Sequence, residues 1–132
     1  MGFMTLVVDR LRRFCALAAA FGLLIASANY VFAAGAMAVG NCAAYGFAYD
    51  YGNADEARSA ALAKCSGQNC SVVATVHRGC VAFAIDGRNA CGPHGYATGK
   101  RVGQAENTAL RFCYKYGGKD CVIRAWACDA KG

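Results

Sequence analysis

Nine cysteines stand among 132 residues, and their chemistry bounds most of what the chain can do. Thiols at that density serve as disulfide staples, as metal ligands or as redox-active pairs. The usual redox-active pair is C-x-x-C, and the absence of that motif makes a redox pair the weaker reading. Cys65, Cys70, His77 and Cys80 offer a loosely zinc-like variety of donors, but C-x4-C-x6-H-x2-C is not the spacing of a standard finger or ribbon. An oxidising compartment would also compete for the thiolates. No metal and no cofactor is expected, and a disulfide framework remains.

Groups for acid–base or nucleophilic catalysis are sparse. His77 closes a β-rich run beside Arg78, and His94 sits in the turn-rich Gly92-Pro93-His94-Gly95. Neither has a neighbouring acid as partner. Asp50, Asp55, Glu56, Asp86, Glu106, Asp120 and Asp129 fall mostly where caps and turns use short acids. A Ser-His-Asp arrangement, a paired-carboxylate motif and a phosphate loop are all missing. No catalytic residue is assigned. A small hydrolase built on His94 is the alternative, and it requires a pocket with an acid beside that ring.

Charge patterning places the chain outside the cytoplasm. Arg10, Arg12 and Arg13 stand against the single acid Asp9, and beyond Phe14 no charged residue occurs until Asp50. A basic segment followed by an Ala- and Leu-rich apolar run reads as a secretory signal peptide over residues 1–33. Small residues at −3 and −1 permit cleavage after Ala28 or after Ala33, and the second is favoured. An uncleaved leader is the alternative, since Phe14 to Val39 is long enough to span a bilayer. Either outcome makes the remainder, a single domain over 34–132, secreted or periplasmic. Cleavage after Ala33 removes Cys15 and leaves eight cysteines, an even number. It keeps 11 of the 14 basic residues and 7 of the 8 acids, a net of +4.

Arg111 and Lys115, four apart, share one helix face, with Lys119 in the following turn and Tyr114 beside them. These three cations are a candidate site for an anionic partner. A net of +4 is modest for nucleic-acid binding. The partners expected are a protein or an anionic envelope component, with no nucleic acid favoured and no stable membrane span after cleavage.

The elements that must position these groups come in two copies. Cys42 to Cys80 reads like Cys91 to Cys128: Gly46 matches Gly95, Ala48 matches Ala97, Ala57 matches Ala105, Ala61-Leu62 matches Ala109-Leu110, and Cys65 matches Cys113. Cys70 then corresponds to Cys121, and Cys80 to Cys128. Two copies of about fifty residues make a pseudo-symmetric domain rather than an open solenoid. Tyr45, Phe47, Tyr49 and Tyr51 alternate with small or polar residues, which predicts a strand whose aromatic face is core, the alternative being an exposed aromatic recognition surface. Asn53 and Glu56 predict a helix start, with Ala57, Ala61 and Cys65 on one face. In the second copy Val102, Ala105, Ala109, Phe112, Cys113 and Tyr116 form the inner face, and Gly117-Gly118 ends the helix. A strand follows each helix, Ser71 to His77 and Val122 to Cys128. Val81 to Ile85 is a further buried strand closed by an Asp86-Gly87 hairpin. The fold class is α+β: two β-β-α-β repeats, about 34–80 and 80–132, in one disulfide-stapled domain.

Each Ala-faced helix sits close on its sheet, which sets its terminal cysteine against the next strand. Cys65–Cys70 and Cys113–Cys121 are the expected local bridges. Symmetry suggests Cys42–Cys91 and Cys80–Cys128, each crossing between copies.

Ala61-Leu62-Ala63-Lys64-Cys65, Cys70-Ser71-Val72-Val73, Gly79-Cys80-Val81-Ala82-Phe83-Ala84 and Val122-Ile123-Arg124-Ala125-Trp126-Ala127-Cys128 together resemble the bacterial domain of unknown function 4189. The resemblance covers Gly40 to Asp129. It implies a small exported protein with a doubled strand–helix–strand pattern, and no agreed activity. The chain departs from that pattern at Ala36-Met37-Ala38-Val39 and in carrying Cys42 and Cys91. The expected function is that of a non-enzymatic binding or interaction module.

Overall fold

The computed structural model describes residues 33–129. The expected leader through residue 32, with Arg10, Arg12, Arg13, Cys15 and the cleavage after Ala28, lies outside the described residues. Two β-β-α-β units follow one another. The first comprises β1 (Ala34–Val39), β2 (Tyr45–Tyr51), α1 (Ala54–Lys64) and β3 (Ser71–Val76). The second comprises β4 (Cys80–Asp86), β5 (Asn89–Gly99), α2 (Val102–Lys115) and β6 (Cys121–Cys128). Each unit forms an antiparallel three-stranded sheet with its first strand in the middle, in the orders β2-β1-β3 and β5-β4-β6. The copies match down to an irregularity in register. One register shift falls between Met37 and Ala38 where β1 pairs with β3, and its counterpart between Phe83 and Ala84 where β4 pairs with β6.

Side-chain size decides the layering. Every residue of β1 and of β4 is buried, because each central strand is covered on both faces. Alternation sends Ala34, Ala36 and Ala38 to one side of β1, where they pack with Ala57 and Ala61 of α1. Cys80, Ala82 and Ala84 of β4 meet Ala105, Ala109 and Cys113 of α2 in the same way. The larger residues point the other way. Met37 and Val39 share one cluster with Val81, Phe83 and Ile85, so the two sheets pack against each other and the helices cover the outside. Each large side chain in this layer contributes roughly 1.5–3 kcal/mol on burial.

Local signals act where the sequence puts them. Asn53 Oδ1 accepts from the Glu56 N–H at 2.9 Å and starts α1. Gly117 takes φ +100°, which a residue with a Cβ resists, and the Gly117 and Gly118 N–H groups return to the Tyr114 and Cys113 carbonyls to close α2.

Among the described residues four disulfides form: Cys42–Cys91, Cys65–Cys70, Cys80–Cys128 and Cys113–Cys121. The topology of one differs from expectation. Cys80 opens β4, so it belongs to the second unit, and its register partner in β6 is Cys128. Their bridge lies within the second sheet rather than between copies. Matching Cys80 with Cys128 as equivalents misled the reading, since the position equivalent to Cys80 is Ala34 at the start of β1. Cys42–Cys91 is the one disulfide among the described residues that joins the two units.

Two aromatic assignments also change. The β2 aromatics are core only in part: Tyr45 and Phe47 are half-buried and pack against the inter-sheet cluster, Tyr51 is half-buried against the alanines under α1, and Tyr49 is 51% exposed. On this edge strand the buried face is Gly46 and Ala48, which α1 covers. In α2 Phe112 is half-buried and packs against the cluster between helix and sheet, as the inner-face assignment requires, whereas Tyr116 is 63% exposed; the two rings stack at 6.1 Å between centroids.

Buried carboxylates fasten the loops. Asp129 is fully buried, and its two oxygens accept from the Asp50 and Arg78 N–H groups at 3.1 and 3.2 Å. Both donors have left-handed backbone, φ 60° and 51°. Asp86 ends β4 and accepts from the Arg88 and Lys119 N–H groups at 3.0 and 3.1 Å. Those bonds, the Arg88 one foremost, hold its carboxyl below the usual carboxylate range. A folded-state pKa below the unfolded one contributes stability above the unfolded value, about 3.9, and loses it as pH falls through the folded value. Denaturant melts of Asp86→Asn at stepped pH should therefore show a shallower loss of stability below about pH 4 than the parent. An unchanged acid limb refutes this role.

Candidate binding grooves at the sheet edges

The pseudo-symmetry places the same kind of groove on β2 and on β5, the outer strands of the two sheets. Gly46 and Gly95 occupy equivalent positions, and at each the helix backbone lies directly on the strand. A Cβ on Gly46 would strike the Ala61 carbonyl oxygen and the Cys65 amide, and one on Gly95 the Ala109 carbonyl oxygen and the Cys113 amide. That close approach brings the helix end level with the side chains flanking each glycine.

On β2 the groove is about 540 Å³, lined by Ala43, Ala44, Tyr45, Phe47, Tyr49, Lys64, Ser66 and Arg124. Tyr45 and Phe47 have parallel rings 6.2 Å apart, and Tyr49 continues the row at 6.0 Å. Arg124 reaches across from β6 and lays its guanidinium over the Tyr45 ring at 5.4 Å. Its place in the register explains the reach: Phe83 pairs with Ala125 and Ala84 with Ile123, which leaves Arg124 as the extra residue of a bulge. Lys64 ends α1 and stands 6.0 Å from the Tyr51 ring. The lining holds two cations, three aromatic rings, the hydroxyls of Ser66, Tyr45 and Tyr49, and no carboxylate.

On β5 the equivalent groove is about 520 Å³, lined by Gly92, Pro93, His94, Tyr96, Phe112 and Tyr116. His94 takes the position of Tyr45, Tyr96 that of Phe47, and Phe112 that of Lys64. The backbone site is the same, but here it is aromatic and lacks the cations.

His94 is exposed, with Nδ1 3.2 Å from the Gly92 carbonyl oxygen and its ring edge-on to Phe83 at 5.9 Å. No carboxylate lines either groove that borders it. His77 is exposed too, its Nδ1 3.3 Å from the Ala33 carbonyl oxygen. The zinc-like set loses its ligands, because Cys65, Cys70 and Cys80 are all in disulfides. Arg111, Lys115 and Lys119 are exposed and unpaired with any acid among the described residues, but they border neither groove. Arg111 Nη2 donates to Thr108 Oγ1 on its own helix at 3.4 Å, and the Lys119 backbone N–H is held by Asp86.

Sequence reasoning did not find the Tyr45–Arg124 juxtaposition. The residues are 79 positions apart on strands of different sheets, and only sheet stacking joins them. The pairing of Gly46 with Gly95 was the available signal that β2 and β5 carry equivalent sites.

Residues 34–128, the two β-β-α-β units from the first strand to the last, match the family described as a domain of unknown function, DUF4189. The chain belongs to the DUF4189 family. No curated protein and no solved structure matches it. In this DUF4189 domain no helix among the described residues is long and apolar enough to cross a membrane.

Proposed function

We propose that this DUF4189 domain is an exported, non-enzymatic binding module whose ligand is an acidic glycan of the envelope, taken in the β2 groove. The observation that carries the reading is Arg124 seated on Tyr45 at the head of a row of rings, with Lys64 beside them and no acid in the lining. Aromatic rings offer flat faces to the C–H surfaces of sugars, and unpaired cations select carboxylated or phosphorylated ones. A partly desolvated rim of this kind gives specificity more than affinity.

Titration of the domain with polygalacturonate should show saturable binding, and dextran should show none. Lys64→Glu with Arg124→Glu should weaken polygalacturonate binding at least about tenfold, or about 1.4 kcal/mol. Arg111→Glu with Lys115→Glu should change it less than about twofold, since neither side chain lines the groove and exposed charge outside it is screened. If the α2 pair carries the loss instead, the anionic site is the helix face and the groove assignment is wrong. Stronger binding of a single-stranded oligonucleotide than of polygalacturonate would replace the glycan with nucleic acid. Shortening of the polymer on long incubation would refute the non-enzymatic reading.

A further inference from the structure

The four disulfides are unequal in access. Cys80, Cys113 and Cys121 are buried, and Cys65, Cys70 and Cys128 are half-buried. Cys42 and Cys91 are both exposed, the one bridge with neither partner covered. The backbone around it is also held in an unfavourable form. Cys42 and Ala43 are consecutive non-glycine residues with φ of 52° and 62°, a region that side chains with a Cβ resist. They persist because the chain is tied down on every side. Ala43 is buried in the inter-sheet core, the Asn41 N–H donates to the Gln68 carbonyl at 2.9 Å, the Gly40 N–H to the Ala44 carbonyl at 2.9 Å, and Cys42 is cross-linked to β5. Opening the bridge removes one of these ties and leaves the others in place. The bridge also forms part of the wall of a groove of about 340 Å³, which His94 and Phe83 line as well. With Nδ1 donating to the Gly92 carbonyl, His94 keeps Nε2 for proton exchange with the groove.

We propose that Cys42–Cys91 is a stoichiometric thiol–disulfide exchange site, one exchange per chain and no catalytic turnover, its reactant a protein dithiol, with His94 supplying the proton to the departing thiolate. A thiolate of the incoming dithiol attacks one sulfur of the bridge. The S–S bond breaks, its electron pair leaves on the other sulfur, and that sulfur takes a proton from the His94 imidazolium. The second thiol of the dithiol returns a proton to His94 and, as its thiolate, displaces the first chain sulfur from the mixed disulfide. That sulfur leaves as a thiolate that takes its proton from solvent water. Two electrons pass to the chain, which holds two thiols, and the partner leaves as a disulfide. Exposed or strained bridges are the exchangeable ones, and buried ones resist. The proposal is independent of what the β2 groove binds.

The oxidised exported chain, equilibrated with graded dithiothreitol as the dithiol probe, alkylated and peptide-mapped, tests it. Cys42 and Cys91 should be labelled at a dithiothreitol concentration at least about tenfold below that which labels any of the other six, with near-UV circular dichroism intact at that point. Another bridge opening at the same or a lower concentration overturns the proposal, as does loss of near-UV signal in step with labelling. His94→Gln, a change at an exposed side chain, should slow opening at least about threefold at neutral pH without altering the order of reduction. An unchanged rate overturns the role of His94.

Discussion

Replacing Cys80 and Cys128 together by alanine lowers the thermal midpoint of the domain by on the order of 20 °C. The pair is separated by 48 residues. In the chain-entropy model a loop of that length stabilises the folded state by about 4 kcal/mol, against about 2 kcal/mol for the short Cys65–Cys70 loop. A domain of this size shifts by about 4–8 °C for each kcal/mol. The location adds to the effect, because Cys80 is fully buried in the layer between β4 and α2 and its loss leaves a void there. Circular dichroism melts of the oxidised proteins measure the shift, and a midpoint within about 5 °C of the parent would show that this bridge is not a principal staple.

Gly95→Ala should rank next, with a loss of about 3 kcal/mol, the upper range for an overpacked core. The added Cβ meets the Ala109 carbonyl oxygen and the Cys113 amide, which are helix backbone and cannot rotate aside. α2 must lift from the sheet, and the Ala105–Ala109–Cys113 face that buries there opens with it. Gly46→Ala does the same to α1. Gly103→Ala is the internal control: nothing lies within 4 Å of its Cβ position, and in the first turn of α2 alanine stabilises over glycine by a part of the interior value of about 1 kcal/mol. Denaturant midpoints that fall for Gly95→Ala and rise for Gly103→Ala support the close-packed helix. Equal shifts for the two variants would refute it.

Much of this architecture was legible because the determinants are local and doubled. The Asn53 cap, the Gly117 stop, the alanine spacing in both helices and the strand after each of them act within a few residues. Repetition then supplied what local signals lack, since one copy's pattern constrains the other's. Repetition also misled at Cys80, where counting cysteines suggested equivalence with Cys128 and pairing geometry made them neighbours in one sheet. The β2 aromatics show the limit of periodicity. Alternation reports that two faces differ, not how each is covered, and here the small face went under the helix while Tyr45 and Phe47 lie at the margin of the inter-sheet core.

By itself the sequence determined the element order, the doubling and the preference of small residues for the helix-facing side, all of which follow from spacing along one chain. Which sheet faces which, and so where Arg124 meets Tyr45 and why Cys42 alone ties unit to unit, was decided only by tertiary packing. The reason is physical. The large residues of β1 and β4 are indifferent to their partner until the two sheets close on each other, and no hydrogen-bond ladder or sequence period encodes that contact.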